Sequence, residues 1–546
     1  MLQETMNCRC ASLCISAIAV LLTPFHHLTL VEAGKLLVVP IDGSHWLSMR
    51  DVLDLLHQQG HHVVVIAPES TIHVSSSPSY HLKVYPVSIS QAQMKKHISS
   101  FTFEIFTPRP LLQKLQKIRE NLKEGAELMM DTCIHMLNNS HLIQFLEESS
   151  FDAIFTDPML PCGQILAEHL TVPSIYFMHG IPCNLDTKAS KCPLPLSYVP
   201  QMSTGLTDHM TFTERVKNIL VKNVIVRTTD FFMCRLFYKP FAQLASDFLK
   251  KDITAVDLFS RASIWLMRYD FAFEFPRPIM PNMVLIGGIN CVRKKHLSQE
   301  FEQLVNSSGE HGFVVFSLGS MVSEIPIDKA IDIAKALGSI PQKVFWRYTG
   351  KVPPNLAENT HLVKWLPQND LLAHPKARAF ITHAGSHGIY EAICNAVPVV
   401  MLPLFGDQMD NAVRIEARGA GVTLNVLDMT SEDLSNALKN VIENPSYKKN
   451  IERLSALHLD RPIHPLDLAV YWVEFVMRHK GAPHLRPAAH DLNFFQYHSL
   501  DVIGFLLLVI ITTLFISLKC SCMVFRRCCG RRSSPKSKSK SKSKPE

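Results

Sequence analysis

Residues 379–408 read AFITHAGSHGIYEAICNAVPVVMLPLFGDQ and decide the fold. The apolar run 379–383 predicts a buried strand, and residues 386–395 predict a helix that begins after a tight turn at Gly385. The apolar run 397–402 predicts the next strand. A strand, a helix and a strand at this spacing form one unit of a parallel sheet. The segment therefore predicts an α/β fold.

The same alternation continues on both sides of this segment. Further strands are predicted at 35–40, 62–67, 312–318, 343–348, 361–365 and 421–424, and further helices at 47–60, 327–337, 407–418, 431–442 and 465–480. Repeated units of this kind build a doubly wound parallel sheet whose strands are buried on both faces. At 546 residues the chain is too long for one ordinary core. The turn-prone stretch Gly287-Gly288-Ile289-Asn290 marks the expected boundary, so we expect two facing Rossmann-like domains, 34–288 and 289–490.

The two ends of the chain predict targeting and membrane insertion. Residues 1–33 resemble a secretory signal peptide, the alternative being a retained anchor. Residues 502–518 lack charge and predict a transmembrane helix at about the lower limit of length. Residues 519–546 carry ten Lys and Arg residues against one Glu, which predicts a basic cytoplasmic tail. Because the whole chain has a net charge of +7, the remainder is slightly acidic, which argues against nucleic-acid binding.

The last residues of the tail predict a compartment. Lys542-Ser-Lys544 resembles the lysine-based retrieval signal of type I proteins of the endoplasmic reticulum. The alternative is a solvated tail that touches anionic lipid. We expect a single-pass type I protein of the endoplasmic reticulum membrane, with the folded domains in the lumen.

Cysteines and sequons make two further predictions about the lumenal part. Seven cysteines are scattered between Cys133 and Cys394, and this odd, sparse set predicts no disulfide framework and no zinc site. The sequons at Asn138 and Asn306 predict glycosylation if their loops are exposed.

The turn before the helix at residue 386 predicts an anion site. Ser386 is a favourable N-cap residue, and the N–H groups and positive dipole end of a helix bind phosphate. Gly385 lets a phosphate approach the backbone, and the ring of His383 is placed to hydrogen-bond to it. The alternative is that His383 and His387 are ordinary core or surface histidines. Their spacing also suits a metal, but the strand-to-helix break separates them, so we expect no metal site.

Other polar residues of the same region suit a nucleotide sugar. Glu391 is placed to accept from ribose hydroxyls, and Asp407 and Gln408 open the next helix beside the same cleft, where they suit sugar hydroxyls. The flat ring of Trp365 and the amide of Gln368 suit a pyrimidine base and its ribose.

Residues 365–408 as a whole resemble the donor-binding signature of the UDP-glycosyltransferases, and they are close to that of the animal UDP-glucuronosyltransferases. The similarity continues through residues 482–489 (APHLRPAA) and covers nearly all of the chain, most loosely between about 70 and 280. The C-terminal half is most similar to the bilirubin- and phenol-conjugating branch. The resemblance implies the GT-B arrangement of two Rossmann-like domains, the C-terminal one holding the nucleotide sugar.

The resemblance also implies roles for individual residues. It assigns the uridine to Trp365 and Gln368, the ribose to Glu391, and the sugar to Asp407 and Gln408. The implied donor-binding set is Ser320, Arg347, Trp365, Gln368, His383, Gly385, Ser386, His387, Gly388, Glu391, Asp407 and Gln408. Ser320, in a Gly-Ser turn after a strand, and His383 are assigned to the diphosphate. Arg347 either neutralises the diphosphate or is an ordinary surface arginine, and plant relatives carry Asn in place of His387.

The first half supplies candidate catalytic residues. Residues 42–49 (DGSHWLSM) resemble the family's catalytic-histidine loop, and residues 155–158 (FTDP) resemble the strand end that supplies its aspartate partner. A histidine with an ordinary pKa of about 6.5 takes a proton from a hydroxyl acceptor, and a carboxylate behind it holds the tautomer. We expect His45 and Asp157 to be in contact, the alternative for Asp157-Pro158 being a plain turn. The chain has no Asp-x-Asp motif, so we expect no cofactor besides the co-substrate UDP-glucuronate, and one inverting displacement.

The acceptor and two competing functions complete the expectation. Residues 98–112 are largely apolar, and with Phe231 and Phe232 they suit a small lipophilic acceptor or, alternatively, a core. Transfer of another sugar, such as glucose from UDP-glucose, is one alternative function. A non-catalytic sugar-nucleotide binder or subunit is the other. The sequence does not decide whether the chain forms homo- or hetero-oligomers.

Overall fold

The structure is a computed structural model that describes residues 33–226, 234–291 and 294–529. The expected signal peptide, apart from Ala33, therefore lies outside the described residues. The same holds for the tail beyond residue 529 and for Phe231 and Phe232.

The first half of the described chain is built on a seven-stranded parallel sheet. Its strands are β1 Lys35–Val39, β2 His62–Pro68, β3 His81–Tyr85, β4 Ala153–Thr156, β5 Ser174–Met178, β6 Ile264–Met267 and β7 Met283–Leu285, in the order β3-β2-β1-β4-β5-β6-β7. The helices are α1 Ser44–Gln58, α2 Gln91–Ile105, α3 Leu111–Asn138, α4 Ser140–Glu148, α5 Cys162–Leu170, α6 Leu185–Ser190, α7 Phe212–Leu220, α8 Arg235–Leu249 and α9 Ala255–Phe259. A π-helical turn, Val221–Val226, continues α7.

The second half repeats this plan with six parallel strands among the described residues. They are β8 Phe313–Ser317, β9 Lys343–Arg347, β10 Thr360–Val363, β11 Ala377–Thr382, β12 Val399–Met401 and β13 Gly421–Thr423, in the order β10-β9-β8-β11-β12-β13. The helices are α10 Gln299–Asn306, α11 Ile327–Leu337, α12 Gln368–Leu372, α13 Ser386–Cys394, α14 Gln408–Ala417, α15 Ser431–Glu443, α16 Pro445–Leu459 and α17 Pro465–His479. The expected α/β fold with two doubly wound sheets is confirmed.

Both sheets have an apolar core on each face, because their central strands alternate apolar side chains between the two faces. In β1, Leu36 and Val38 enter one core, whereas Leu37 and Val39 enter the other. The second sheet divides in the same way, with Val314 of β8 on one face and Val315 on the other. A strand buried on both faces reads as a continuous apolar run, which is why the sequence predicted these strands well.

Helix α17 differs from the expected domain ranges. This helix belongs to the expected range 289–490, yet its apolar stripe packs into the core of the first sheet with Leu36 and Val38. That stripe consists of Leu466, Ala469, Val470, Val473, Val476 and Met477. His61 and Glu474, at 3.0 Å, and an ion pair of Lys480 with Asp152 add polar contacts across the same boundary. The chain therefore returns to the first sheet after completing the second.

Three disulfides correct the expectation of no disulfide framework. They join Cys133 to Cys162, Cys183 to Cys234, and Cys291 to Cys394, while Cys192 is not in a disulfide. The partners lie 29, 51 and 103 residues apart, so no local spacing reveals them. The fold brings them together, and of the seven cysteines between Cys133 and Cys394 only Cys192 is left unpaired.

Residues from Arg486 onward form a separate unit. It contains α18 Phe494–Tyr497 and α19 Leu500–Cys529. Helix α19 has 30 residues with a mean hydropathy of 2.5 in its most apolar window, so it is long and apolar enough to cross a membrane. The expected span 502–518 lies within it.

Candidate active site

The carboxyl ends of strands from both sheets face one cavity of about 1590 Å³. Open parallel sheets bind ligands at this end of their strands. The first sheet contributes His45, His179 and Arg268 to the lining, and the second contributes Ser320 and His383. The cavity therefore joins the two halves of the predicted site.

His45 and Asp157 are in direct contact, as expected. The Nδ1 atom of His45 lies 2.5 Å from Oδ2 of Asp157. Asp157 follows β4 directly and is 1% exposed, and its Oδ1 accepts from the N–H of Met159 at 3.0 Å. This carboxylate is therefore fixed, and it keeps the proton of His45 on Nδ1, which leaves Nε2 as the basic atom.

Asp42, which the sequence analysis did not single out, holds the loop in front of His45. Its carboxylate accepts hydrogen bonds from the backbone N–H groups of Gly43, Ile72 and His73 and from the side chains of Thr71 and His73. Burial alone would raise the pKa of Asp42, but these hydrogen bonds outweigh it and lower the pKa to about 2. The anion thereby ties the loop after β2 to the loop after β1.

The His45 loop touches the donor half. A Cβ atom added to Gly43 would lie 3.0 Å from Sδ of Met321 and 3.8 Å from Oγ of Ser320. Gly43 has a φ of 82°, in the left-handed region that favours glycine. The histidine and the predicted diphosphate turn at Ser320 therefore meet at one gap.

The start of α13 forms the expected anion cradle, with one correction. Ser386 is the first residue of the helix rather than its N-cap, which is Gly385, and no side chain of the described part of the chain caps this end. The Ser386 hydroxyl instead accepts from a guanidinium N–H of Arg268 at 3.0 Å. The first amides of α13 therefore remain available to an anion.

Two glycines enclose the ring of His383. A Cβ at Gly319 would lie 2.6 Å from this ring, and a Cβ at Gly385 would lie 2.5 Å from it. Burial lowers the pKa of His383 to about 4, so the imidazole is neutral at pH 7. Its Nδ1 atom is buried without a hydrogen-bond partner among the described residues. A neutral ring can donate one N–H here without placing a buried charge.

His387 links the two halves. Its Nδ1 lies 2.8 Å from the Ser48 hydroxyl on α1, and its Nε2 lies 3.2 Å from Oε1 of Glu391. Glu391 also accepts from the Gln368 amide at 2.5 Å. Both ring nitrogens of His387 thus contact protein groups, and its expected contact with the donor stays a prediction. Gly388 lies in the first turn of α13, and a Cβ atom added there would lie 3.3 Å from the amide nitrogen of Gln368.

The expected base site contains an exposed indole. Trp365 is 52% exposed and lines the cavity in the loop after β10. The Arg347 guanidinium lies 5.2 Å from the ring centroid, and it donates to the carbonyl oxygens of Gly319, Ser320 and Val322. Arg347 therefore stabilises the Ser320 turn, and its expected role toward the diphosphate stays a prediction.

The expected sugar site is a hydrogen-bonded cluster. Asp407 contacts His179 at 3.2 Å and accepts from the Asn411 amide at 2.7 Å. Burial would raise the pKa of Asp407, but its contact with His179, the Asn411 hydrogen bond and the charges of Arg268 and Arg414 outweigh burial and hold the pKa below its ordinary value. The Gln408 side-chain oxygen accepts from the N–H groups of Leu404 and Phe405, so its amide nitrogen is the atom left for a sugar.

Arg268 and Asn411 are site residues that the sequence analysis missed. Arg268 follows β6 directly and is 6% exposed, and its second terminal nitrogen has no partner within the described part of the chain. Asn411 is fully buried and joins Asp407 to the Ala384 carbonyl. An arginine at the carboxyl end of the apolar run 264–267 was the available signal for Arg268. Asn411 gives no local signal.

The predicted acceptor residues lie elsewhere. Phe106 is buried in the core of the second half, and the Phe101 ring contacts Phe405 with centroids 5.3 Å apart. Neither lines the cavity, so α2 docks onto the second half instead. The apolar wall on the first-half side comes from later residues: Met159, Ile181, Leu194, Val199, Leu206 and Val221.

The remaining predicted sites can be placed as follows. Asn138 and Asn306 are both exposed, at the ends of α3 and α10, and their glycosylation stays a prediction. The group Cys291, Cys394 and His458 has metal-like spacing, but both sulfurs are in a disulfide and offer no thiolate.

Two parallel sheets that bring a histidine–aspartate pair and the free amides of a helix start to one cavity form the arrangement expected of a glycosyltransferase. Residues 34–534 match the family model described as "UDP-glucoronosyl and UDP-glucosyl transferase". The chain belongs to this family.

Curated relatives and solved structures agree with this assignment. The chain is 59% identical to UDP-glucuronosyltransferase 1A1 of Rattus norvegicus over 511 residues, covering 94% of this chain and 95% of the relative. It is 58% identical to UDP-glucuronosyltransferase 1A6 of Homo sapiens, covering 94% and 96%. The crystal structure of Os79 from O. sativa in complex with UDP superposes with a TM-score of 0.54 at 15% identity, covering 81% of this chain and 100% of that one. At this identity the superposition supports the fold alone.

Proposed function

We propose that the chain transfers glucuronic acid from UDP-glucuronate to a hydroxyl group of a small lipophilic acceptor, with His45 as the base and Asp157 as its positioning partner. The 2.5 Å contact between these two side chains, on the cavity that also contains the start of α13, carries the proposal. The printed names of the most similar relatives support glucuronate as the sugar.

The reaction is a single displacement at the anomeric carbon. Nε2 of His45 takes the proton of the acceptor hydroxyl while that oxygen bonds to the anomeric carbon and the bond to the UDP oxygen breaks. Asp157 stabilises the imidazolium that forms, because its carboxylate accepts from Nδ1. The attacking and leaving oxygens lie on opposite faces of the carbon, so an α-linked donor gives a β-linked product.

The second half and Arg268 receive the leaving UDP. The first amides of α13, the neutral His383 ring and the Ser320 hydroxyl, which is buried without a partner among the described residues, suit the diphosphate oxygens. Arg268 adds a buried positive charge beside Ser386. We assign the base to Trp365, the ribose to Glu391 with Gln368, and the sugar hydroxyls to Asp407 and Gln408.

We infer compartment and topology from the terminal segments. The resemblance of residues 1–33 to a signal peptide, the helix α19, which is long and apolar enough to cross a membrane, and the lysine-rich tail support a type I protein of the endoplasmic reticulum, with the cavity in the lumen. Carbohydrate on Asn138 or Asn306, removed by a glycosidase only after the membranes are opened, would support this orientation. Cleavage in sealed microsomes would overturn it.

The first prediction tests the base. The full chain with His45→Ala should form glucuronide with a kcat reduced by about 100-fold or more, because the acceptor loses its proton acceptor. His57→Ala is the matched control, since His57 is an exposed histidine on the same helix. Product is quantified by mass after incubation with UDP-glucuronate and a phenol.

The same assay separates the alternatives. A panel of UDP-glucuronate and UDP-glucose should give product chiefly from the former, and preferred use of UDP-glucose would replace glucuronate as the sugar. Unchanged turnover of His45→Ala would remove His45 from the mechanism. If neither sugar is transferred by the parent chain to any of a mixture of phenols, the non-catalytic alternative stands.

A further inference from the structure

The apolar part of helix α19 extends beyond the predicted span 502–518. Lys519 follows that span, then come the largely apolar residues 520–525 (CSCMVF), and then the pair Arg526 and Arg527. All of these residues lie on one continuous helix, and the large apolar side chains among them are exposed. A helix that is apolar on every side and exposed suits lipid. The span therefore has two candidate ends, one at Lys519 and one at the arginine pair.

The length of the helix favours the second end. At a rise of about 1.5 Å per residue, residues 502–518 extend over roughly 25 Å, which is less than the hydrocarbon layer of about 30 Å. Residues 502–525 extend over roughly 36 Å, which matches this layer when the helix tilts by about 30°, within the range seen for membrane helices. The two arginines then lie at the level of the lipid headgroups.

Lys519 is compatible with the longer span. Its ammonium group lies 5.2 Å from the centroid of the Phe515 ring, one turn earlier on the same helix. An aromatic face attracts a cation more strongly where water is excluded, and the four-carbon stem of lysine lets the ammonium group reach toward the headgroups. A single lysine within about two turns of the end of a membrane helix is therefore tolerated.

Four cysteines that are not in disulfides lie on α19, in two pairs at different depths. Cys520 and Cys522 fall inside the longer span, whereas Cys528 and Cys529 directly follow the arginine pair. Among the described residues these sulfurs form no group that could hold a metal ion. Thiols on the cytoplasmic side of a membrane stay reduced. The second pair therefore presents two adjacent, exposed thiols at the level of the headgroups.

The chemistry of this position suits transfer of a fatty acyl group. A long-chain acyl-CoA has an apolar chain and an anionic nucleotide, so its thioester lies at the level of the headgroups. The neighbouring arginines and the lysine-rich tail attract its phosphates. We propose that Cys528 and Cys529 are S-acylated by a membrane acyltransferase and that Cys520 and Cys522, inside the hydrocarbon, are not. The proposal rests on the proposed topology, which places this end of α19 in the cytoplasm.

The reaction is an exchange of thioesters. The cysteine Sγ attacks the carbonyl carbon of the acyl-CoA, a new C–S bond forms, and the bond from that carbon to the sulfur of CoA breaks. CoA leaves as a thiol with the proton of the cysteine. The attached chains enter the hydrocarbon beside α19 while the basic residues stay at the surface, and two such signals together fix a segment at a membrane more firmly than either alone. Hydrolysis of the thioester restores the thiol, so the modification is reversible.

Exchange of acyl groups for a mass label tests the proposal in the full chain, expressed in cells. Free thiols are blocked with N-ethylmaleimide, thioesters are cleaved with hydroxylamine, and the released thiols are labelled with maleimide-polyethylene glycol. The parent should show one or two steps of reduced gel mobility that require hydroxylamine. Cys528→Ser with Cys529→Ser should remove these steps. The matched control on the same helix, Cys520→Ser with Cys522→Ser, should keep them.

Three results would overturn the proposal. They are a parent without hydroxylamine-dependent label, label that persists in the Cys528→Ser, Cys529→Ser variant, and label that is lost from the control pair. The topology is checked separately, because trypsin added to sealed microsomes should remove residues 533–546, detected by an antibody against them. A protected tail would refute the proposed topology, whereas a cleaved tail on an unlabelled chain would refute only the acylation.

Discussion

His383 shows how two residues without side chains set the chemistry of a third. Gly319 and Gly385 let two backbone turns close over the imidazole, and this enclosure is what keeps the ring neutral. The turn between an apolar strand and a helix predicted His383 and Gly385, whereas the pair His45–Asp157 was predicted from the resemblance to the UDP-glycosyltransferases, with both residues expected near the carboxyl ends of parallel strands. It did not predict the partners of His387 or Arg347, since Ser48 lies 339 residues from His387 and the carbonyl groups bound by Arg347 are backbone atoms.

The buried histidine makes stability depend on pH. The pKa of His383 is about 4 in the folded chain and about 6.5 when unfolded, so the unfolded chain binds more protons between these values. This contribution to the free energy of unfolding is complete above about pH 6.5 and is lost as the pH falls toward 4. His383→Gln should therefore lose less stability than the parent between pH 7 and 4.5, by roughly 1–3 kcal/mol.

Thermal unfolding of the full chain at the two pH values measures this difference. His57→Gln, at an exposed position, should behave like the parent. An identical pH response in the parent and in His383→Gln would show that the ring is protonated without cost.

At the scale of elements, helix α17 shows that hydrophobic periodicity predicts where a helix lies but not which sheet it packs against. The apolar stripe predicted a helix at 465–480, and the observed helix ends one residue earlier. The stripe does not say which sheet it will cover, because a core in either half would accept the same side chains. The sheet that a helix packs against depends on the paths of the loops and on the shapes of the two surfaces. The three disulfides were not predicted for the same reason, because local patterns do not show which distant cysteines meet. Strand and helix boundaries, by contrast, depend on local patterns, so they were largely predicted.

The packing of α17 gives a stability prediction. Val473→Ala should lower the free energy of unfolding by about 2 kcal/mol, because a fully buried side chain between α17 and the first sheet leaves a cavity. Tyr471→Ala is the control on the same helix, at a position that is 48% exposed. Equilibrium denaturation of both variants provides the measurement. Equal small losses would show that α17 contributes little to that core.

At the scale of the whole molecule, the two sheets share one site because side chains of each reach the other. Ser48 of α1 contacts His387 of α13, and Arg268 after β6 contacts Ser386. The sequence predicted two halves facing a cleft, since each half contained candidate catalytic or donor-binding residues at the carboxyl ends of its strands. The strength of the coupling between the two halves was not predictable from the sequence, because this coupling depends on contacts between residues that lie far apart in the chain.

A double-mutant cycle measures this coupling. Ser48→Ala should raise the KM for UDP-glucuronate about five-fold with a smaller effect on kcat, since one hydrogen bond of about 1 kcal/mol orients His387 and, through it, Glu391. His387→Gln alone should have a similar effect, and the double variant should be little worse than either single one. Strictly additive effects would show that the two residues act independently.

The return of α17 to the first sheet has a consequence for biosynthesis. The amino-terminal sheet cannot finish its core until residue 479 has left the ribosome, because six apolar side chains of that core are encoded near the end of the message. The core of the first sheet therefore remains incomplete, in the presence of chaperones, while the donor-binding half is still being translated. A transcript interrupted between α16 and this helix yields a second half with all of its core residues and a first half that lacks the six core residues of α17.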